Sequence, residues 1–132
     1  MVTVAHVVTR CTAGAGGVVV RGATSLPEGY RSVVVTGECD PSLEARAVAH
    51  GVEVVLVPDL VSPVRPAQDY RAAVELTRLL GRLGPDVVHT HSAKAGVLGR
   101  RAAAAVGTPR VVHTMHGHPW HPFQSRARRA TY

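Results

Sequence analysis

A glycine-rich segment, TAGAGG at residues 12–17, follows an apolar run and precedes another, as a turn between a strand and a helix would. Glycine lets a backbone approach an anion closely, and the first N–H groups of a helix favour negative charge. The segment therefore predicts a phosphate-binding turn. Its candidate binding residues are Gly14, Gly16 and Gly17.

Two other interpretations of this segment stay open. A dinucleotide-binding fingerprint is incomplete because Val19 stands where its last glycine is required. Glu38, however, lies where an acid could bind the ribose of a nicotinamide cofactor. The segment could also be a tight turn that only joins a strand to a helix.

A second segment, HTHSAKAG at residues 89–96, places histidines, a serine and a lysine where another strand gives way to a helix. His89 and His91 are two residues apart, so in a strand both project to the same side of the sheet. Ser92 is in position to cap the helix. Lys94 in the first turn would attract a phosphate or sugar phosphate together with the helix dipole. The alternative is a cap and a solvated surface lysine.

Six of the eight histidines follow residue 88, most of them in the segment HTMHGHPWHPF at residues 113–123. Imidazole is a common zinc ligand, usually completed by a carboxylate or thiolate. No acid follows Asp86, and both cysteines, Cys11 and Cys39, lie far upstream, so we expect no metal ion here. A histidine beside a glycine just past a strand suits a hydrogen bond to a sugar or a departing phosphate.

Apolar, β-branched runs alternate with helical segments along the chain, which predicts an α/β fold with a Rossmann-like, doubly wound, mostly parallel five-stranded sheet and helices on both faces. Predicted helix boundaries include Asp40 as an N-cap before Pro41, Pro66 as a first helical residue, and Gly84 as a stop. The predicted strands are Thr3–Val8, Val33–Val35, Val52–Val57, Val87–Thr90 and Val111–Met115.

In the common strand order of such sheets, the first, fourth and fifth strands are neighbours, and ligands bind beyond the carboxyl ends of the strands. The loops at residues 9–17, 89–95 and 116–124 should therefore meet at one edge. These are also the three loops with unusual chemistry, so we expect them to form one site.

Length and composition narrow the class of protein. With 132 residues and 45% hydrophobic residues, the chain suits a single globular domain. The net charge is +6, and residues 87–132 contain seven of the 15 Lys and Arg residues and no acid, so this part should attract anions. Nucleic-acid binding is disfavoured by the 4% aromatic content and the lack of a recognition motif. Two cysteines are too few for a disulfide framework, so we expect free thiols. The apolar residues at the start of the chain are interpreted as a strand and not as a signal peptide. We therefore expect a cytoplasmic protein.

Three of these runs resemble the amino-terminal domain of family-4 retaining glycosyltransferases of the GT-B fold: the glycine turn before VVV, the run HTHSAKAGVLGR at residues 89–100, and HTMHGH at residues 113–118. The resemblance implies that the glycine turn lies by the diphosphate of a nucleotide sugar and that His116 faces the transferred sugar as the catalytic residue. Residues that line the same cleft would be His91, Ser92, Lys94, Gly96 and Gly117.

The resemblance also implies that residues 1–132 form one amino-terminal, acceptor-side domain, half of a GT-B architecture whose carboxyl-terminal donor domain is absent. This chain alone is then expected to show little transfer. The family usually has two adjacent glycines where this chain has Gly14 and Ala15, so the extra methyl group could restrict contact with the diphosphate.

The expected function is transfer of a sugar from a nucleotide diphosphate-sugar to a glycan or lipid-linked acceptor, without a cofactor. The alternative is a non-catalytic, truncated module that binds a sugar phosphate or nucleotide. Self-association through an open sheet edge is expected if the fifth strand lacks a neighbour. Peripheral contact with the inner face of the plasma membrane is expected through an aromatic and basic tail, with a solvated helix start as the alternative. The tail residues are Trp120, Phe123, Arg126, Arg128 and Arg129.

Overall fold

Strands and helices alternate strictly along the chain. A computed structural model describes residues 1–116. The elements are β1 (Val2–Cys11), α1 (Ala13–Thr24), β2 (Tyr30–Cys39), α2 (Pro41–Ala49), β3 (Glu53–Leu56), α3 (Pro66–Leu83), β4 (Val87–His91), α4 (Ala93–Ala105) and β5 (Arg110–Thr114).

All five strands are parallel and lie in the order β3-β2-β1-β4-β5. The predicted five-stranded, doubly wound sheet is therefore confirmed. The first two strands are longer than their apolar runs suggested, because β1 and β2 stay paired from Val2 and Tyr30 to Cys11 and Cys39. Their polar ends are held by backbone pairing to a neighbour, which an apolar pattern does not reveal.

Helix ends follow the predicted local signals. The Asp40 carboxylate accepts a hydrogen bond from the Ser42 backbone N–H, at 2.8 Å, and Pro41 occupies the first turn of α2. Helix α3 begins at Pro66 and ends at Leu83, and it is followed by Gly84, whose φ of 55° is left-handed. A residue without a Cβ adopts this conformation at little cost, which is why the helix stops there.

Each face of the sheet carries its own core, because side chains alternate along a buried strand. Val7 and Val88 pack with Leu76 and Leu80 of α3 and with the apolar side of α4. Val8 packs on the opposite face, among residues of α1 and α2. His6, two residues before Val8 in β1, therefore shares the α1 face with it.

Strand β5 lies at one edge of the sheet and, within residues 1–116, pairs with β4 alone. Val111 and Val112 on this strand are 42% and 47% exposed. Self-association through this edge stays a prediction. Among the helices that the structure describes, none has the length and apolar character required to cross a membrane.

Candidate functional site

The carboxyl ends of β1, β4 and β5 are neighbours at one edge of the sheet. Parallel pairing brings Val7 beside Thr90 and His91 beside Thr114, so the loops after these strands emerge side by side. The Ser92 backbone N–H also donates to the Thr114 carbonyl oxygen, at 3.2 Å, which joins two of the loops directly. The expected convergence is thus confirmed for the part of each loop that lies within residues 1–116.

Four imidazoles meet at this edge, on the α1 face of the sheet. His6 Nδ1 lies 3.4 Å from His91 Nε2, and His91 Nδ1 lies 3.0 Å from His116 Nε2. His89 completes the group, with its ring centroid 4.0 Å from that of His91. We call His6, His89, His91 and His116 the histidine cluster. It links β1 and β4 to the residues just beyond β5.

Burial keeps the inner histidines uncharged. It lowers the pKa of His6 to about 4, and the neighbouring His89 adds a smaller effect in the same direction. The pKa of His91 falls to about 3, again chiefly by burial and then through the surrounding histidines. Burial also lowers the pKa of His89. Since a charged imidazole is costly to desolvate, His6 and His91 are neutral at physiological pH.

His116, in contrast, is exposed, just past the end of β5. Only one of its ring nitrogens, Nε2, contacts His91. The His116 side chain is thus held by the buried His91 through one ring nitrogen, while the rest of its ring is exposed to solvent. This is the geometry that a histidine needs to contact a substrate in the cleft.

His91 itself is 3% exposed, so the expectation that it contacts a substrate needs correction. Its two ring nitrogens face His6 and His116. The side chain therefore positions His116 and does not line the cleft.

The three glycines of the first turn are not equivalent. A Cβ on Gly16 would lie 2.5 Å from the Cys11 backbone carbon and 2.8 Å from Leu43. A larger residue would therefore clash with the end of β1 and with α2. A Cβ on Gly14 or Gly17 would meet nothing within 4 Å. The packing explains the glycine at residue 16, and its binding role stays a prediction, whereas Gly14 and Gly17 leave open space at the start of α1.

Lys94 does not present its charge to the edge. It is 6% exposed, forms an ion pair with Asp69 of α3 and donates a hydrogen bond to the Pro63 carbonyl oxygen. Both the predicted phosphate contact and the solvated alternative are thereby corrected. The ammonium group joins α4 to the start of α3, because a buried cation requires a charged partner.

Ser92 and Gly96 have structural roles. Ser92 occupies the N-cap of α4, but its hydroxyl donates to the His91 carbonyl oxygen and makes no cap hydrogen bond. A Cβ on Gly96 would lie 2.5 Å from the His113 ring. Gly96 is therefore needed for the approach of α4 to β5, and its assignment to the cleft stays a prediction.

The backbone at two strand-to-helix turns is left-handed without glycine. Ala13 has a φ of 50° and Ser92 a φ of 66°. Residues with a Cβ rarely adopt a positive φ, and each such residue costs roughly 1–3 kcal/mol. Both turns thus hold strain at the edge where the loops converge.

Two contributors to the site were not predicted from the sequence. His6 interrupts the apolar run of the first strand, and a histidine within such a run is the signal that could have revealed it. Thr114 lies 2.7 Å from His89 Nε2 through its hydroxyl oxygen, a contact that depends on the β4–β5 register. Gly117 and the tail residues Trp120, Phe123, Arg126, Arg128 and Arg129 lie outside the described residues.

The sequence of residues 12–132 matches Glycosyltransferase Family 4. The match covers the glycine turn, the histidine cluster beyond His6, and the tail. The chain belongs to this family. The resemblance carried by the glycine turn and the two histidine-rich runs is therefore confirmed.

A curated relative of this family-4 chain is the UDP-Gal:alpha-D-GlcNAc-diphosphoundecaprenol alpha-1,3-galactosyltransferase of Escherichia coli. The two are 44% identical over 66 residues, which is 50% of this chain and 17% of the relative. The family-4 chain thus spans about a sixth of the length of that enzyme.

Solved structures share the fold of this family-4 chain. A glycosyltransferase from Rickettsia africae ESF-5 has a TM-score of 0.69 at 19% identity, over 92% of this chain and 31% of that one. A UDP-N-acetylglucosamine 2-epimerase has a TM-score of 0.64 at 22% identity, over 98% of this chain and 38% of that one. At such identities the likeness establishes the Rossmann-like fold alone.

Proposed function

We propose that this domain takes part in transferring a sugar, with retention of configuration, from a nucleoside diphosphate-sugar to a lipid-linked acceptor. Family membership supports a sugar transferase. The Escherichia coli relative, named for a UDP-galactose donor and a diphosphoundecaprenol-linked acceptor, supports a hexosyl donor and a polyprenyl diphosphate acceptor. The observation that carries the proposal is the exposed His116, held by the buried His91 at the edge where three loops meet.

Residues at the start of α1 suit the departing diphosphate. The first hydrogen bond of the helix runs from the Gly16 N–H to the Thr12 carbonyl oxygen, at 3.0 Å. The N–H groups of residues 13–15 precede it and so have no partner within the helix. With open space beside Gly14 and Gly17, these donors can stabilise negative charge on a phosphate without a metal ion.

His116 is proposed as the catalytic residue that contacts the transferred sugar. An imidazole that accepts a hydrogen bond from His91 Nδ1 at its Nε2 presents its Nδ1–H as a donor. Such a donor can bind a sugar hydroxyl and stabilise charge that develops during transfer. His91 Nε2 faces His6 Nδ1, so a proton on His6 Nδ1 would keep the His91 proton on Nδ1, where it can be donated to His116.

The test is sugar transfer by the complete protein as its gene encodes it, with radiolabelled UDP-hexoses and a polyprenyl diphosphate-sugar acceptor. We expect His116→Gln to lower kcat at least about 100-fold, the scale of a lost acid-base or electrostatic contact. His50→Gln, which alters an exposed histidine at the C-cap of α2, is the matched control and should keep full activity. Unchanged turnover in His116→Gln would refute the assignment.

Peripheral membrane contact belongs to the same proposal, because a lipid-linked acceptor is presented at a bilayer surface. The aromatic and basic residues Trp120, Phe123, Arg126, Arg128 and Arg129 supply the chemistry for anionic headgroups. Co-sedimentation with vesicles should increase with the fraction of anionic lipid and fall with salt. Sedimentation that changes neither with the fraction of anionic lipid nor with the salt concentration would count against this contact.

A further inference from the structure

Three members of the histidine cluster, His6, His89 and His91, each place one ring nitrogen within 4.8 Å of the other two. They come from two neighbouring strands: β1 carries the first, and β4 the others. In the register of these strands His6 lies beside His89. Paired backbones thus bring the three imidazoles together on one face of the sheet.

The hydrogen bonds around the cluster leave ring nitrogens available. His89 Nε2 is 2.7 Å from the Thr114 hydroxyl, and His91 Nδ1 is 3.0 Å from His116 Nε2. His89 is thus oriented through Nε2, and His91 through Nδ1. The nitrogens that could bind an ion are then the Nδ1 of His89 and the Nε2 of His91, which lies 3.4 Å from His6 Nδ1. Histidines that bind a metal typically have this arrangement, in which the second nitrogen is held by a neighbouring polar group.

His6 adds an unsatisfied polar atom. The side chain is 4% exposed, and its Nε2 has no hydrogen-bond partner. In either tautomer the ring therefore leaves a buried donor or acceptor unused, at a cost of about 1–3 kcal/mol. An ion bound through His6 Nε2 would remove that cost. This distinguishes the group from a polar cluster that is already satisfied.

We propose that His6, His89 and His91 bind a divalent transition-metal ion of the zinc class. Neutral imidazoles suit Zn²⁺, Co²⁺ and Ni²⁺, and three histidines with one open position form a known type of zinc site. Nitrogens bound to zinc lie roughly 3.4 Å apart. The present spacing of at most 4.8 Å therefore closes by about 1.4 Å or less through ring rotation.

From the sequence we expected no metal ion, because no acid lies near the histidines of the carboxyl-terminal third. In the folded chain, however, β1 brings a third imidazole, that of His6, beside the two histidines of β4. The site lies on the α1 face of the sheet. Its ion would hold His91 and, through it, His116, a consequence that rests on the proposed function, whereas metal binding itself does not.

Metal binding is tested with Co²⁺ on the chelator-treated full chain, produced without a histidine tag. We expect one Co²⁺ per chain, with the visible absorption of a site of low coordination number, and displacement by Zn²⁺. His89→Gln should weaken binding at least about 100-fold, because a ligand is lost. His89→Cys, which replaces one zinc ligand by another, should retain binding.

Two further variants separate this site from other histidines. Thr114→Val removes the hydroxyl beside His89 and should weaken Co²⁺ binding about tenfold, as loss of an orienting partner does. The double variant His118→Gln/His121→Gln should bind as the unmodified chain does. Circular dichroism shows that each variant is folded. Stoichiometric binding that survives His89→Gln, depends on His118 and His121, or is absent from the unmodified chain would overturn the proposal.

Discussion

Acidification should destabilise the domain through its two most buried histidines. The pKa values of His6 and His91 are lowered from 6.5 to about 4 and about 3 in the folded chain. Unfolding restores their ordinary value, so below pH 6.5 the unfolded chain binds protons that the folded chain excludes. The contribution of these residues to stability is therefore complete above pH 6.5, and it is lost as the pH falls towards 4 and 3.

The magnitude follows from proton linkage. Between about pH 7.5 and about pH 5.5, each histidine that stays neutral when folded lowers the free energy of unfolding by about 1.4 kcal/mol. Both side chains are almost fully buried, at 4% and 3% exposure, so solvent screening does not reduce the effect much. The sum is about 2.7 kcal/mol, a large part of the stability of a small domain.

Denaturant unfolding followed by circular dichroism, across this pH range and with a chelator present, measures the effect. His6→Gln should make the loss smaller by about 1.4 kcal/mol, because one linked proton is removed. His50→Gln should keep the full dependence. If the native chain and His6→Gln lose the same free energy of unfolding, or the native chain loses none, then the two imidazoles are not held neutral as the structure indicates.

Other predictions concern the glycine turn, the buried ion pair and the cleft. Gly16→Ala should cost about 1–3 kcal/mol by overpacking against Cys11 and Leu43, whereas Gly17→Ala should stabilise α1 by about 0.5–1 kcal/mol in thermal or denaturant unfolding. In the complete protein, Gly17→Ala should nevertheless raise the donor KM if a diphosphate occupies the open space there; an unchanged KM would remove Gly17 from the donor site. Lys94→Met should cost about 3 kcal/mol because Asp69 is left unpaired, and Lys94→Met/Asp69→Leu should recover most of it. If the double variant is no more stable than the single one, then the ion pair is not what makes Lys94 necessary.

The helix ends and the strands were predicted correctly because short-range interactions determine them. Asp40 before Pro41 and Gly84 after an apolar stripe mark helix ends through hydrogen bonding and backbone preference, which need no distant partner. Val-rich runs predicted the parallel sheet for a similar reason, since strands buried on both faces must be apolar throughout. Strand order then followed from the usual topology, and with it the meeting of three loops.

The functions of individual side chains depended on partners that are remote in sequence. Lys94 looked like an anion-binding residue because of its place in the first turn of α4, but Asp69 of α3 neutralises it. Gly96 was predicted to line the cleft, and the sequence did not reveal that the His113 ring packs against it. His6 joins the histidine cluster because β1 lies beside β4, which the local sequence does not show. Pairwise contacts of this kind are tertiary, so residue type and spacing do not reveal them.

The left-handed residues Ala13 and Ser92 give the domain an asymmetric distribution of stability. These two residues stand at the starts of α1 and α4 and are kept out of the backbone conformation that residues with a Cβ prefer. Any ligand whose binding lets either residue return to negative φ gains the released free energy in addition to its own contacts. The affinity of a ligand at this edge would then include the backbone strain that its binding relieves at Ala13 or Ser92.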